Sequence, residues 1–475
     1  MSEEKAPRFT SPLTGTVFPS GPTFWIVDGV AYDFSEWLKR HPGGAMWFHA
    51  TEGRDISALF HSYHKDPQRL RKMLEPFRIE GLGPKHVLSK LGLPPFLLAR
   101  DFDASRDLPP FDFNASPLLG AIRRKVEHVL PRKLLRRYDL AFDAVTVLLG
   151  LVHVAVLAAL VFGGLPAWAC VALLVVTRTA LSGAGHYAIH RKCGDGRQRV
   201  QKELGKGLFD LNYVGTSLTA SDGHVLIHHA YTGTGADVKR TFFDGMLRLH
   251  PLLRIPGYTL HKLGVCLVGI LVRGLDIAIY GRDRGFFRLH FWLVRAWLLA
   301  EFIACLVSGQ VLAWGAQFVL SLWFNTFLVV ASHDFEGTSA DAQVASLPEH
   351  LRGDWAARQI GLSYDLSVVG NRWIDVFLTG GLSPHRVHHV LPAQASGFAN
   401  IASEAAVREV CAEAGIAWER PRHLLTERFP PLLKHYLLSP PKRLHAADER
   451  SRPGLTRELG ELGRFVVEGW RGAGI

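Results

Sequence analysis

Apolar positions gather into long runs along this chain, with polar and basic stretches between them. The run 140–163 (LAFDAVTVLLGLVHVAVLAALVFG) is long enough to cross a bilayer. A short uncharged turn leads to a second run, 166–184, and further runs occupy 262–280, 287–309 and 310–332. The 262–280 run carries Arg273 and Asp276 near its middle. Charge there is expensive in hydrocarbon, so this run reads as interfacial. The other four pair into two hairpins with uncharged turns, the second near Ser308–Gly309. Arg123, Arg124, Lys125, Arg132, Lys133, Arg136 and Arg137 precede the first hairpin, and Arg191, Lys192, Arg197, Arg199, Lys202 and Lys206 follow it. By the excess of Lys and Arg on cytoplasmic loops, both ends face the cytosol. The pattern predicts four spans with both termini cytosolic.

The remaining segments have other characters. Residues 1–20 read as a loose polar tail and 21–85 as a small soluble domain, with β-type runs such as FWIVDGVAYDF followed by helical stretches. Residues 86–138 read as a proline-containing linker ending in the basic juxtamembrane segment. The membrane domain follows at 139–440, and 441–475 form a carboxyl-terminal tail. In that tail Leu455, Leu459, Leu462 and Val466 follow helical spacing, the usual mark of core packing.

Composition narrows the function. With 475 residues, 48% of them hydrophobic, neither global disorder nor a small disulfide scaffold fits. The net charge of +11 suits nucleic acid or an anionic membrane. Because the basic residues flank apolar runs, the membrane is the better partner, and no nucleic acid is expected. The 5 cysteines show no metal spacing, whereas 23 histidines are present. The first residues, MSEEKAPRFT, are too polar for a secretory signal.

Two histidine patterns lie in the soluble domain: HPGG at His41–Gly44, and GRDISALFHSYH ending at His64. They resemble cytochrome b5 and, more closely, the b5 domains fused to membrane desaturases, over roughly 21–85. The resemblance implies a haem b with His41 and His64 as axial ligands. Two axial imidazoles leave the iron no open position, so such a haem carries electrons only. Spacing alone leaves His61 and His49 open as rivals to the second ligand.

Three more clusters border the apolar runs: His186 and His190; His224, His228 and His229; His385, His388 and His389. Spacings of three and four place each cluster on one helix face. Eight imidazoles exceed the four ligands of a zinc site and fit two metals. Imidazole alone leaves iron, zinc, copper and nickel open. The order His-x3-His, His-x3-His-His, His-x2-His-His resembles the membrane fatty-acid desaturase family over roughly 140–400, as do HHAYTGTGADVKR (228–240) and GGLSPHRVHHVLP (380–392). The resemblance implies two non-haem iron ions, dioxygen as cosubstrate and all eight box histidines as ligands. It also points to His333 in ASHDFEG as a ninth ligand. The Asn that precedes this histidine by four residues in stearoyl-type desaturases is Val329 here, which leaves a structural cap as the alternative. Front-end desaturases usually begin the third box with Gln, where this chain has His385. The run FANIASEAAVREVCAEAGIAWE looks most like the animal cytochrome b5-related proteins.

The expected fold is a small α+β b5-like domain followed by an all-α multi-pass membrane desaturase domain with interfacial helices and a cytosolic cap. The expected function is desaturation of an acyl-CoA or acyl-lipid, with electrons passing through the fused haem. Two alternatives stay open: a fatty-acyl or sphingolipid hydroxylase on the same scaffold, and a membrane-anchored electron carrier without catalysis. No Gly-rich dinucleotide fingerprint is present, so an NADH–cytochrome b5 reductase is the expected donor. The resemblance implies the endoplasmic reticulum, with the metal site cytosolic. Arg178, Arg295 and Glu301, in or near the spans, either pair with a substrate headgroup or with one another, or snorkel to the interface and support the structure.

Overall fold

The computed structural model describes residues 8–14, 17–19, 23–38, 40–82, 111, 113, 117–191, 196–214, 220–234, 237, 243–280, 289–334, 336, 340–442 and 454–472. Most of the expected linker, and Lys192 in the basic flank after the first hairpin, lie outside these residues.

In the amino-terminal module, strands Trp25–Val27 and Val30–Tyr32 pair antiparallel, with Trp25 opposite Tyr32. Asp28 and Gly29 turn the hairpin with φ of 50° and 79°, the left-handed pair that matches strand twist. The pleat sends Trp25, Val27 and Tyr32 into a core with Phe34 and Phe60, while Phe24, Ile26 and Ala31 fill a second one. Three short helices follow: Met46–Thr51, Ser57–Tyr63 and Pro67–Leu74. The last begins with Pro67 in its first turn and the Asp66 carboxylate accepting from the Arg69 N–H.

The rest of the chain is predominantly helical. Among the described residues, four helices are long and apolar enough to cross a bilayer: Arg132–Phe162, Ala167–His190, Pro251–Tyr280 and Val311–Ala331. Leu148, Leu151, Phe162, Trp168, Val307 and Leu312 are exposed, as side chains facing lipid would be. This set differs from the sequence expectation in its third member. The 262–280 run is the second half of a longer helix whose mid-helix charges do not face outward. Arg273 and Asp276 are buried and paired at 3.5 Å, and the Ser11 and Thr14 hydroxyls donate to Asp276. An internally matched pair does not carry the penalty that a lipid-facing one would. The helix Leu289–Val307, expected as the third span, packs against Val311–Ala331.

Two further stretches depart from the expected division. Pro117–Val129, read as linker, is a helix whose Leu118, Leu119, Ile122 and Val126 are buried in the main core. The carboxyl-terminal helix Leu455–Trp470 docks on Pro251–Gly264, only in part by the expected stripe. Leu455 and Leu459 are exposed, while Leu462 and Phe465 make the contact. The partner surface is glycine: Gly257 faces Leu462 and Gly264 faces the Trp470 ring.

Glycine also sets the spacing around the long helix Ala167–His190. A Cβ on Gly183 would lie 2.5 Å from the Gly380 carbonyl carbon, and one on Gly185 would lie 2.2 Å from the Phe209 nitrogen. No side chain fits at either contact, so the backbones can touch.

The charged residues inside the spans satisfy one another. Arg178 donates to Glu301 at 2.7 Å, and His153 lies 3.3 Å from Glu301 and 2.8 Å from the Thr177 hydroxyl. Arg295 pairs with Asp210 at 2.7 Å. Of the roles expected for these charges, ion pairing inside the protein is the one built into the fold: Arg178 with Glu301, and Arg295 with Asp210. Glu301→Ala leaves Arg178 buried and unpaired, which costs about 3–5 kcal/mol. Thermal unfolding in detergent is therefore expected to fall markedly for this variant. The double variant Arg178→Met/Glu301→Leu is expected to recover much of the loss.

Candidate metal centre

The first box closes the helix Ala167–His190, where His186 and His190 lie one turn apart on a buried face. The second box departs from the α-helix expected of it. Ala220–His228 winds as a π-helix, with the His229 N–H bonded to the His224 carbonyl five residues back. The wider turn places His228 and His229 on either side of the His224 direction. The third box is the short helix His385–Val390. It follows Gly380 and Gly381, whose φ values of 59° and 92° turn the chain sharply. The Tyr187 hydroxyl donates to the Gly381 carbonyl at 2.8 Å. Arg386 fixes the far side, its N–H on Asp365 and its guanidinium on the Ser363 and Glu419 carbonyls.

These elements bring all eight box histidines and His333 into one dry region, each 8% exposed or less. They sort into two groups. In the first, one ring nitrogen from each of His186, His190, His224, His229 and His388 lies within 4.8 Å of all the others. In the second, His228, His333 and His389 do the same. His385 borders the second group, its Nε2 3.0 Å from that of His389 and its ring 4.8 Å from that of His333. The neighbours His228 and His229 thus serve different groups, as do His388 and His389.

The outer nitrogens are held in place. His228 Nδ1 donates to Asp237 at 2.8 Å, and His389 Nδ1 to the Gln359 side-chain oxygen at 2.8 Å. His333 Nδ1 donates to the Leu362 carbonyl at 2.7 Å, and His190 Nδ1 lies 2.7 Å from the Tyr63 hydroxyl. In each, the Nδ1 contact leaves Nε2 as the nitrogen available inside. The inner nitrogens crowd together. Nε2–Nε2 distances are 2.6 Å for His186–His224, 3.1 Å for His186–His388 and 3.1 Å for His224–His229. His190 Nε2 is buried with no hydrogen-bond partner. Neutral imidazoles whose outer nitrogen carries the proton turn lone pairs toward one another here, an arrangement that a shared cation relieves. Metal ions therefore fit both groups, and imidazole donors suit iron among others. Burial keeps the ligands in the neutral form that binds metal. It pushes His388 down to about 3 and His229, His385 and His389 well below the ordinary histidine value, with neighbouring imidazoles adding to the effect. Burial alone would raise the Asp237 carboxyl. The His228 imidazole and the Gly233 N–H outweigh it and hold Asp237 below its usual range.

Asp237, Gln359 and Tyr63 were not singled out from the sequence. Asp237 had a signal, since it ends the Gly-Thr-Gly-Ala-Asp stretch nine residues after His228. Gln359 and Tyr63 had none. Val329, where an Asn was looked for, is half-buried against an apolar cluster.

In the amino-terminal module the His41 and His64 rings face each other with centroids 6.0 Å apart. A metal–nitrogen bond of about 2 Å on each side, plus the half-widths of the rings, spans about this distance. His64 Nδ1 donates to the Phe60 carbonyl at 2.9 Å, and His41 Nδ1 lies 3.3 Å from the Gly44 carbonyl. Both contacts leave Nε2 for a ligand. Gly43 is required beside them, because a Cβ there would lie 2.7 Å from the His41 ring. The rival His61 is engaged elsewhere: it pairs with Asp28 at 3.0 Å and stacks on Phe113 at 4.2 Å. His49 is half-buried on the helix Met46–Thr51.

Comparison with known proteins agrees with this geometry. The family model for fatty acid desaturase matches residues 165–421, and that for the cytochrome b5-like haem/steroid binding domain matches 19–82. Fatty acid desaturase 3 of Homo sapiens is 31% identical over 119 residues, 24% of this chain and 26% of that protein. The acyl-lipid omega-13 desaturase of Chlamydomonas reinhardtii is 37% identical over 73 residues, 15% of each chain. The cytochrome b5-related protein of Drosophila virilis is 46% identical over 39 residues, 8% of this chain and 27% of that one. The matched segments thus cover 15–27% of the length of these three relatives. No solved structure matches the chain.

Two outcomes are expected. His64→Ala abolishes the Soret band of the purified, haem-reconstituted chain, whereas His61→Ala keeps it. Asp237→Ala weakens metal binding about 10–100-fold, read as metal retained after dialysis against a chelator series.

Proposed function

The chain belongs to the fatty acid desaturase family, and we propose that it is a dioxygen-dependent di-iron acyl desaturase that receives electrons through its own haem domain. The observation that carries this reading is the pair of buried histidine groups, eight imidazoles with converging inner nitrogens and His385 beside them, four of the rings anchored through their outer nitrogens. His186, His190, His224, His229 and His388 would hold one iron, and His228, His333, His385 and His389 the other. Two iron ions with dioxygen supply the oxidising power to remove two hydrogens from an unactivated acyl chain. The protein's part is to hold the metals apart from water and to orient them. Asp237, Gln359 and the Leu362 carbonyl fix the imidazole rings from behind. The close-packed apolar helices around the boxes keep the region dry, which limits side reactions.

His41 and His64 would carry a haem b, and its electrons would come from a separate NADH–cytochrome b5 reductase. The substrate is an acyl-CoA or an acyl-lipid drawn from the membrane. The relatives named as desaturases support a lipid substrate, and the four apolar helices support a membrane setting. The endoplasmic reticulum, with termini and metal centre on the cytosolic side, is the setting this reading requires.

The test is a fatty-acid and sphingolipid profile, by gas chromatography and mass spectrometry, of yeast expressing the chain with a range of fed fatty acids. A new unsaturated species that disappears with His388→Ala and with His41→Ala is expected. A hydroxylated species with the same dependence would replace desaturation with hydroxylation. A purified chain that binds haem but no non-haem iron would reduce it to an electron carrier. In the same preparations His333→Ala is expected to lose one of the two iron equivalents, as measured by metal analysis.

A further inference from the structure

The amino-terminal module is docked on the region that holds the metal centre. Ala58 is buried in the main helical core, with Trp47, Leu59 and Tyr63 packed against it beside Ile189, Val225 and Leu226. Arg123 clamps the end of the helix Ser57–Tyr63, donating to the carbonyls of His61 at 2.7 Å, Ser62 at 2.6 Å and His64 at 2.9 Å. The Tyr231 hydroxyl donates to the Asp55 carbonyl at 3.3 Å from the other side. Trp47 lies beside the Tyr63 ring, and its face takes the Lys202 ammonium at 4.2 Å. Among the described residues of this joint, a hydrogen bond reaches a box histidine: the Tyr63 hydroxyl lies 2.7 Å from His190 Nδ1. Tyr63 is the residue immediately before His64.

We infer that Tyr63 is the residue through which electrons pass from the haem side to the metal centre, and that its hydroxyl positions the His190 imidazole for that transfer. The inference rests on the reading of His41 and His64 as haem ligands and His190 as a metal ligand. The path is short and unbroken. It runs from the His64 side chain through one peptide unit to Tyr63, along the phenol ring, and across one hydrogen bond to His190. With Nε2 of His190 turned inward, Nδ1 carries the proton and donates to the phenol oxygen. One electron leaves the reduced haem held by His41 and His64, and one arrives at the oxidised centre held by His190. No bond forms or breaks, and the phenol keeps its proton, since burial raises its pKa above the ordinary tyrosine value. Tyr63 is thus a positioning residue for electron delivery and does not touch substrate.

The experiment uses the full chain loaded with haem and iron, wild type and Tyr63→Phe, in detergent with substrate. Haem is reduced anaerobically and mixed with oxygenated buffer. Stopped-flow absorbance at the Soret band then follows its reoxidation, and the iron-free chain gives the background. Wild type is expected to show an iron-dependent fast phase. Tyr63→Phe is expected to slow that phase about tenfold or more, because displacing a positioned group by an ångström costs up to about a hundredfold. Its haem spectrum and midpoint potential should be unchanged. In the cobalt-substituted chain, the d–d bands of Tyr63→Phe should shift, because a ligand histidine has lost its outer hydrogen-bond partner. An unchanged fast phase in Tyr63→Phe would overturn the inference, whatever the cobalt spectrum does. Absence of any iron-dependent phase in wild type would instead overturn the electron route of the proposed function, and this inference with it.

Discussion

Nine imidazoles share one dry region, and the architecture follows from that crowding. A lone imidazole in such a place is tolerable when it is neutral and hydrogen-bonded. Nine whose inner nitrogens approach within 2.6–3.1 Å of one another in several pairs need a cation between them. The outer nitrogens must also be anchored, or the rings would turn away. Asp237, Gln359, the Leu362 carbonyl and Tyr63 supply that anchoring from four separate segments. The glycines at 183, 185 and 380 let backbones approach closely enough to bring those segments together. Each device has a cost, in chain entropy or in buried polarity, that metal binding offsets.

The sequence made some of this legible and hid the rest. Histidines three and four residues apart carry their own local geometry, so the boxes and their convergence could be read directly. The partition between the two groups could not, because it depends on the π-helical winding at Ala220–His228 and on one-residue differences in ring direction. Likewise, Arg273 and Asp276 look expensive on a linear plot. Arg273 pairs with Asp276, and the hydroxyls that complete Asp276, those of Ser11 and Thr14, lie more than 260 residues away. Pro117–Val129 straddles a proline-rich stretch and a run of basic residues, which hide its helical period, yet its apolar face is buried against elements far along the chain. The charges and the buried helix escaped the sequence through long-range partners, and the partition of the histidines through local winding, while the local spacing of the boxes was legible.

The basic segment before the first long helix shows how one sequence feature can serve two ends. Its charge suffices to orient a membrane hairpin. Arg123, however, is buried under the amino-terminal module and holds the carbonyls of His61, Ser62 and His64, and burial lowers its pKa to about 10. Lys125 pairs with Glu409 on the helix Gly397–Glu413. The basic segment that flanks the first long helix thus also carries the docking of the amino-terminal module.

The adjacent pairs His228–His229 and His388–His389 also constrain how such a centre can change over evolutionary time. Each pair sends one ring to each metal group. Consecutive Cα atoms sit about 3.8 Å apart across a trans peptide. The separation of the two groups is thus tied, twice over, to the length of a single peptide unit. It cannot drift by small backbone adjustments, as a distance between two loops can. Inserting or deleting one residue at either pair would exchange the rings between groups. Changes in the spans or the docking joint leave that spacing untouched, whereas a change of length at either histidine pair disturbs both groups at once.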